Sequence, residues 1–227
     1  MVQVQPHLPL PTFIAPPVSA TAIIKSNIRT THSRHLCLET PLLTESDIRH
    51  RIWTELQRAT HDRHHEWRTP VLATVGTDGL PQARTVVLRH AHAGAGTLQI
   101  FTDSRSPKVA ALTAQPAVAL AFWSKRLSWQ LRVQATASVQ LSGPEVDAVW
   151  ARVSQSAAAG DYLSAHAPGD VLPHASPDEA EATSTRACVH HLAIITAQVR
   201  SIDWLELGRG GHRRAVLQGD QWDWRVP

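Results

Sequence analysis

The chain has 227 residues, 43% of them hydrophobic and 18% charged, which is enough to bury one core of ordinary size, and its 22 basic residues nearly balance 19 acidic ones. The formal charge of +3 therefore suits an anionic small ligand as readily as a polyanion and decides between neither. The two cysteines, Cys37 and Cys188, lie far apart without a CxxC companion, and no apolar run reaches the ~18 to 20 residues of a membrane span, so a disulfide scaffold, a zinc ribbon and a membrane helix are excluded and a soluble, cytoplasmic protein is expected.

Residues 1–40 are rich in proline, threonine and serine and carry no acidic residue before Glu39, so they read as a flexible extension preceding a domain over residues 41–227. The domain opens at Thr44, which has capping-box spacing with Asp47, and Ile48, Ile52 and Leu56 then recur every four residues of an amphipathic helix. Past Pro70 the pattern changes to β-branched runs, predicting strands at Val71–Val75, Thr85–Leu88 and Leu98–Phe101, with Asp78-Gly79 as a hairpin turn. Ser106-Pro107 predicts the N-cap and first residue of a short helix that carries Val109 and Leu112 and stops at Gln115-Pro116.

A strand is predicted over Val118–Phe122. A long one-sided strand follows over Leu127–Ser142, where Leu127, Trp129, Leu131, Val133, Ala135, Ala137, Val139 and Leu141 alternate with polar residues. Ser142 and Glu145 again have capping-box spacing before a helix bearing Val146, Val149, Trp150 and Val153. A polar loop over roughly 165–186 leads to strands at Val189–Leu207, Arg214–Gln218 and Trp222–Val226, separated by glycines. Six or more strands with few helices predict a mainly β, antiparallel barrel.

The chemistry concentrates at strand ends. Arg84, Arg89, Arg105 and Lys108 are basic, Lys108 falls in the first turn of a helix whose free N–H groups favour an anion, and Thr102, Ser104 and Ser106 supply hydroxyls. Gln130 adds a side-chain amide and Trp204 an indole, so the set fits a phosphorylated aromatic cofactor, although composition alone favours solvated strand arginines and leaves function open.

Other constellations are weaker. His61, His64 and His65 lack a completing His or Cys motif and read as a solvated helix end, so no metal is expected. Gly94-Ala95-Gly96 lacks the third glycine of a dinucleotide fingerprint, and the run from Arg209 to Arg214 is too short for a nucleic-acid-binding RGG tract.

The order of the basic residues carries more information. Arg84-Thr85-Val86-Val87-Leu88-Arg89, then Phe101-Thr102-Asp103-Ser104-Arg105-Ser106-Pro107-Lys108, then Gln130-Leu131-Arg132-Val133, with Trp204 and Arg214 ten residues later, resembles the FMN-binding core of the pyridoxamine 5'-phosphate oxidase family. It looks closest to a divergent branch with the RTVVLR and TDxRS motifs that ends in His-Arg-Arg, here His212-Arg213-Arg214.

The resemblance implies a split-barrel homodimer with FMN at the interface and a small-molecule substrate. Arg84, Thr85, Val86, Val87 and Leu88 would line the ring, Arg89 and Lys108 would hold the phosphate, and Phe101, Thr102 and Ser106 belong to the same cofactor-binding set. Gln130 would bond the ring system, Trp204 and Arg214 would come from the second subunit, and His212 would meet substrate. In the family reaction a hydride leaves an amine- or alcohol-bearing carbon for flavin N5, and oxygen reoxidises the flavin.

This sequence departs from the pattern where substrate binds. Gly210 stands where an arginine is expected two residues before His212, and Ser156-Ala157-Ala158-Ala159-Gly160-Asp161-Tyr162 replaces a basic, serine-containing segment. Pro107 likewise stands where a further phosphate-binding arginine is usual, with Arg105 as its substitute. An FMN-dependent oxidoreductase of unspecified substrate is therefore the leading expectation, and a non-catalytic flavin-, haem- or deazaflavin-binding barrel is the alternative.

Overall fold

A computed structural model describes residues 43–171 and 189–227; the expected extension over residues 1–40 and much of the 165–186 loop lie outside them. The described chain has nine strands, β1 (Val71–Val75), β2 (Pro81–Thr85), β3 (Leu88–His92), β4 (Thr97–Asp103), β5 (Ala117–Ser124), β6 (Trp129–Gln140), β7 (Leu192–Glu206), β8 (Arg213–Gln218) and β9 (Gln221–Arg225). Three α-helices accompany them, α1 (Glu45–His61), α2 (Pro107–Ala114) and α3 (Pro144–Val153), with a 3-10 helix at Ala157–Tyr162. None of the described helices is long and apolar enough to cross a membrane.

The strands pair antiparallel in the order β2-β1-β5-β6-β7-β4-β3, and β8 and β9 extend from β7. The two ends of that path, β2 and β3, are consecutive in the chain and separated only by Val86 and Val87, so the sheet must curl back on itself. The Val86 N–H donates to Pro70 O at 3.0 Å beside β1, where the ends meet. The result is the antiparallel barrel expected from the strand pattern.

Alternation builds its interior. Leu72, Leu120, Phe122, Leu131, Val133 and Ile202 point inward, and α1 lays Ile48, Ile52, Leu56 and Ala59 against the same core. The Thr44–Asp47 capping box forms as predicted, the backbone N–H of Asp47 donating to Thr44 Oγ1 at 3.2 Å and that of Thr44 to Asp47 Oδ2 at 3.0 Å.

Four local expectations are corrected. The run Thr85–Leu88 is not one strand: it closes β2, passes through buried Val86 and opens β3, because Val86 turns to bond Pro70. The long strand starts at Trp129, since Leu127 and Ser128 form a turn in which Ser128 takes φ 55°. The cap of α3 is Gly143 rather than Ser142, at φ 105°, a conformation that favours glycine. His65 is buried, not solvated: its Nε2 lies 2.8 Å from Glu55 Oε2, and its Nδ1 accepts from the Trp67 N–H at 3.1 Å.

Candidate functional site

The connection from β2 to β3, the C-terminal part of β4, the first turn of α2 and the 3-10 helix enclose a cleft of about 270 Å³. Its walls include Arg84, Thr85, Val86, Val87, Arg89, Phe101, Thr102 and Lys108, so eight of the predicted cofactor residues meet in one place. They meet because barrel closure brings the β2–β3 junction beside β4, which β3 pairs with directly.

Each cation is held. Arg84 donates to Thr74 Oγ1 at 2.7 Å and to Gln82 Oε1 at 2.9 Å, which fixes its guanidinium at the cleft wall. Arg89 lies over the Phe101 ring at 5.7 Å, and its Nε is buried with no hydrogen-bond partner among the described residues. Lys108 Nζ donates to Thr102 Oγ1 at 2.9 Å and to Ser106 Oγ at 2.6 Å. Ser106 therefore occupies the N-cap of α2 without capping it through its side chain, because Lys108 takes its oxygen. Both hydroxyls accept from the ammonium; the Thr102 hydroxyl also donates to Asp103 O at 3.5 Å, and the Ser106 hydroxyl has no acceptor among the described residues.

Among the described residues, none of these three cations has a carboxylate partner, whereas Arg105 is bound to Asp103 at 2.7 Å, Arg126 to Glu55 at 2.6 Å and Arg214 to Asp203 at 2.8 Å. Burial, reinforced by the charge of Arg84, holds the Lys108 ammonium below its ordinary value of 10.5. Half-buried cations without counter-ions among the described residues, an Arg89 Nε without a partner there and the Ser106 hydroxyl form a lining suited to an anion. Arg84 and Lys108 also line a shallower depression of about 330 Å³ with Gln82, Ser106, Pro107, Pro168 and Gly169.

The remaining predicted residues lie outside the lining of the cleft. Leu88 is fully buried in the core behind the cleft. Arg105 turns away, donating to Ser164 O at 3.0 Å and His166 O at 3.3 Å as well as to Asp103. Gln130 and Arg214 sit in one register row, Trp123–Gln130–Leu205–Arg214, on the outer side of the sheet. From Ala193, which pairs with Thr102, to Trp204 is eleven residues of β7, roughly 35 Å of strand at ~3.3 Å per residue.

The Trp204 indole is 0% exposed, packed edge-on against Trp129 at 5.2 Å, with Arg213 over its ring at 5.2 Å. His212 is exposed just before β8, after a turn in which Gly211 N–H donates to Gly208 O. The chain does not bring Gln130, Trp204, His212 or Arg214 to the cleft.

Three lining residues stand outside the predicted cofactor set: Ile100, and Asp161 and Tyr162, which end the segment that the resemblance set on the substrate side. Tyr162 is buried among Val146, Val149, Leu192 and Ile194, and its carbonyl accepts from the His191 N–H at 2.8 Å, which anchors the 3-10 helix over the cleft. The signal available in the sequence was a lone tyrosine after an alanine-rich run, opposite an apolar helix face.

Fold and site together define an antiparallel barrel with a cationic, hydroxyl-lined cleft at its closure. Comparison with known proteins gives this class a narrower likeness. Residues 50–140 match the family described as pyridoxamine 5'-phosphate oxidase, FMN-binding domain. A pyridoxine/pyridoxamine 5'-phosphate oxidase of Thermosynechococcus vestitus is 33% identical over 123 residues, 54% of this chain and 56% of that protein. One of Azorhizobium caulinodans is 34% identical over 116 residues, 49% of this chain and 53% of that protein. The chain thus spans about half the length of the curated relatives it matches.

Among solved structures, a pyridoxamine 5'-phosphate oxidase-related, FMN binding protein from Nostoc punctiforme superposes with a TM-score of 0.60 at 20% identity, covering 82% of this chain and 99% of that one. That likeness establishes the split-barrel fold. The matched segment contains Arg84–Arg89, Phe101, Thr102, Ser106, Lys108 and Gln130 and excludes Trp204 and Arg214.

Proposed function

We propose that the chain belongs to the pyridoxamine 5'-phosphate oxidase-like FMN-binding proteins and works as an FMN-dependent oxidoreductase on a small amine or alcohol. The observation that carries this is the cleft itself: Arg84, Arg89 and Lys108 without carboxylate partners among the described residues, beside the hydroxyls of Thr102 and Ser106. The donor set fits a phosphorylated flavin, because the phosphate supplies the counter-charge these cations lack and an acceptor suits the orphaned Arg89 Nε. Arg89, Lys108, Thr102 and Ser106 would hold the phosphate side, and the Arg84–Leu88 stretch would supply donors and apolar contact to the ring.

Bound there, FMN supplies a hydride acceptor, which no side chain of the chain provides. The protein's own part is to anchor the phosphate, orient the ring and place cationic donors where reduction accumulates negative charge.

The reading includes a homodimer in which Gln130 and Arg214 complete the site from the second chain, while Trp204, fully buried in its own aromatic cluster, could only back them and would not touch the flavin. Its support is the outer face of β5, where Ala117, Ala119, Ala121 and Trp123 are exposed, Trp123 at 46%. That small-residue face runs in register into Gln130 and Arg214, a surface suited to close approach of a second sheet.

The test is anaerobic mixing of the FMN-loaded protein with amines and alcohols, pyridoxamine 5'-phosphate included, followed by oxygen uptake. Bleaching of the flavin by a substrate, reversed by air, supports the enzyme. Bound flavin that no such compound reduces contradicts catalysis and leaves a flavin-binding protein, and failure to take up FMN overturns the cofactor.

A further inference from the structure

Thr74 is a polar residue on the buried side of β1, 4% exposed and two residues on from the core residue Leu72. Direct pairing sets Thr74 opposite Gln82 and Leu72 opposite Arg84, so these four side chains share one face of the β1–β2 hairpin. A buried hydroxyl needs a partner, and Thr74 Oγ1 has one in Arg84 Nη1, which donates to it at 2.7 Å. Gln82 holds the same guanidinium twice: its Oε1 accepts from Nη2 at 2.9 Å and its carbonyl from Nη1 at 3.5 Å, while Leu72 O accepts from Nη1 at 3.4 Å. Gln82 is itself seated over Gly76, where a Cβ would stand 2.7 Å from the amide nitrogen and 2.5 Å from Asp78 Oδ1. The bare glycine leaves room for the amide to lie with its nitrogen over the turn and its oxygen toward Arg84.

All of these acceptors are neutral. Arg105, Arg132, Arg213 and Arg214 each face a carboxylate instead. A hydroxyl, an amide and two carbonyls fix the direction of a guanidinium without cancelling its charge. They engage both hydrogens of Nη1 and one of Nη2, which leaves Nε–H and the second Nη2–H without an acceptor among the described residues, a planar fork matched to a two-oxygen acceptor. Arg84 lines the 270 Å³ cleft, whereas Thr74 and Gln82 stand outside that lining and reach it only through Arg84.

We propose, on the reading that this cleft holds FMN, that Thr74 and Gln82 are positioning residues: they grip Arg84 with neutral acceptors so that its free Nε–H and Nη2–H fork is delivered, still fully cationic, to the cofactor. Neither residue touches the flavin. The hairpin thus carries a second layer of the site, on the far side of Arg84 from the cleft.

The experiment titrates the full chain with FMN, read by flavin fluorescence quenching, with uptake by the unaltered chain measured first and the melting temperature of each variant alongside. Gln82→Met and Thr74→Val, which each remove one acceptor, should weaken FMN roughly three- to tenfold, part of the worth of one charge-assisted bond. Thr74→Ser, which keeps the hydroxyl, should stay within about twofold of the unaltered chain. Gln82→Glu keeps the grip but adds a counter-charge, and should weaken FMN by roughly fivefold, the upper worth of a partly exposed ion pair, with no loss of melting temperature. In an Arg84→Met background, Gln82→Met and Thr74→Val should cost less than about twofold more, because their effect runs through the arginine. Half-buried Gln82 carries the test if Thr74→Val does not fold.

Unchanged FMN affinity in Gln82→Met, full affinity in Gln82→Glu, or a loss as large in the Arg84→Met background as in the unaltered one overturns the inference while FMN uptake stands. Failure of the unaltered chain to take up FMN overturns the cofactor reading and this inference with it.

Discussion

Lys108→Ala is the perturbation whose consequence can be worked most fully. The ammonium is held by Thr102 Oγ1 at 2.9 Å and Ser106 Oγ at 2.6 Å, so its removal deletes one charge-assisted bond to the phosphate and frees two hydroxyl oxygens that it now engages. A hydrogen bond to a charged group is worth ~1.5 to 3 kcal/mol, or roughly ten- to hundred-and-fifty-fold in affinity. Fold stability should change little, because the lysine has no ion-pair partner among the described residues and is held below its ordinary pKa by burial and by Arg84.

The same shift gives FMN binding a pH dependence. Phosphate favours the charged ammonium, so affinity should fall as pH rises through the lowered Lys108 value, before the ordinary 10.5 is reached, and this alkaline limb should vanish in Lys108→Ala. Flavin fluorescence quenching, titrated from pH 7 to pH 10, measures both effects. Affinity unchanged within twofold in both Lys108→Ala and Arg89→Ala would remove the phosphate site.

The shared-site dimer makes a complementation prediction: Lys108→Ala and Arg214→Ala each lose FMN affinity, and mixing them should restore tight binding to about a quarter of the sites, because each mixed dimer carries one intact site; no recovery on mixing would exclude a contribution of Arg214 in trans. Glu55→Ala should destabilise the fold by ~3 kcal/mol, about 6 to 12 °C in melting temperature, because it strands buried His65 and unpairs Arg126; a shift under 1 °C would show that the network carries no stability. For Glu55 and Asp203, burial alone would raise the carboxyl, but hydrogen bonds from His65 and Arg126, and from Arg214 and Arg132, outweigh it and leave both lowered. A lowered folded value means stabilisation present above the ordinary 4.5 and 3.8 and lost as pH falls below them, so the urea midpoint should hold from pH 7 to 5 and drop toward pH 3. A midpoint that rises on acidification would contradict the ion-pair account.

Much of this architecture was legible because its signals are local. The β6 alternation and the α1 capping box need no tertiary context, and the cleft draws on two short segments, Arg84–Arg89 and Phe101–Lys108, whose residues barrel closure gathers without rearrangement. The β2–β3 break was hidden because Thr85-Val86-Val87 is β-branched, Leu88 is apolar and the run carries no turn residue; only the bond from Val86 to Pro70, a tertiary contact, interrupts it.

His65 looked solvated in a polar run, and the clue to its burial was Glu55, a charge on the same apolar stripe as Ile52, Leu56 and Ala59 that required a buried partner. Asp161 and Tyr162 reach the cleft from a segment without periodicity, anchored through His191; only the family resemblance, and no local pattern, set that segment near the site. Trp204 was singled out through family resemblance, and its place in an aromatic cluster with Trp129, Trp222 and Trp224 depends on strand pairing that the sequence does not display.

The central claim is that the cleft holds FMN by its phosphate, and the most direct measurement is a parallel titration of the protein with FMN and riboflavin, which differ only in that group. The account predicts one FMN per chain with quenched fluorescence and riboflavin weaker by at least about a hundredfold, the lower bound for two charge-assisted contacts of roughly tenfold or more each. Equal affinity for the two flavins, or no binding of FMN, would contradict it.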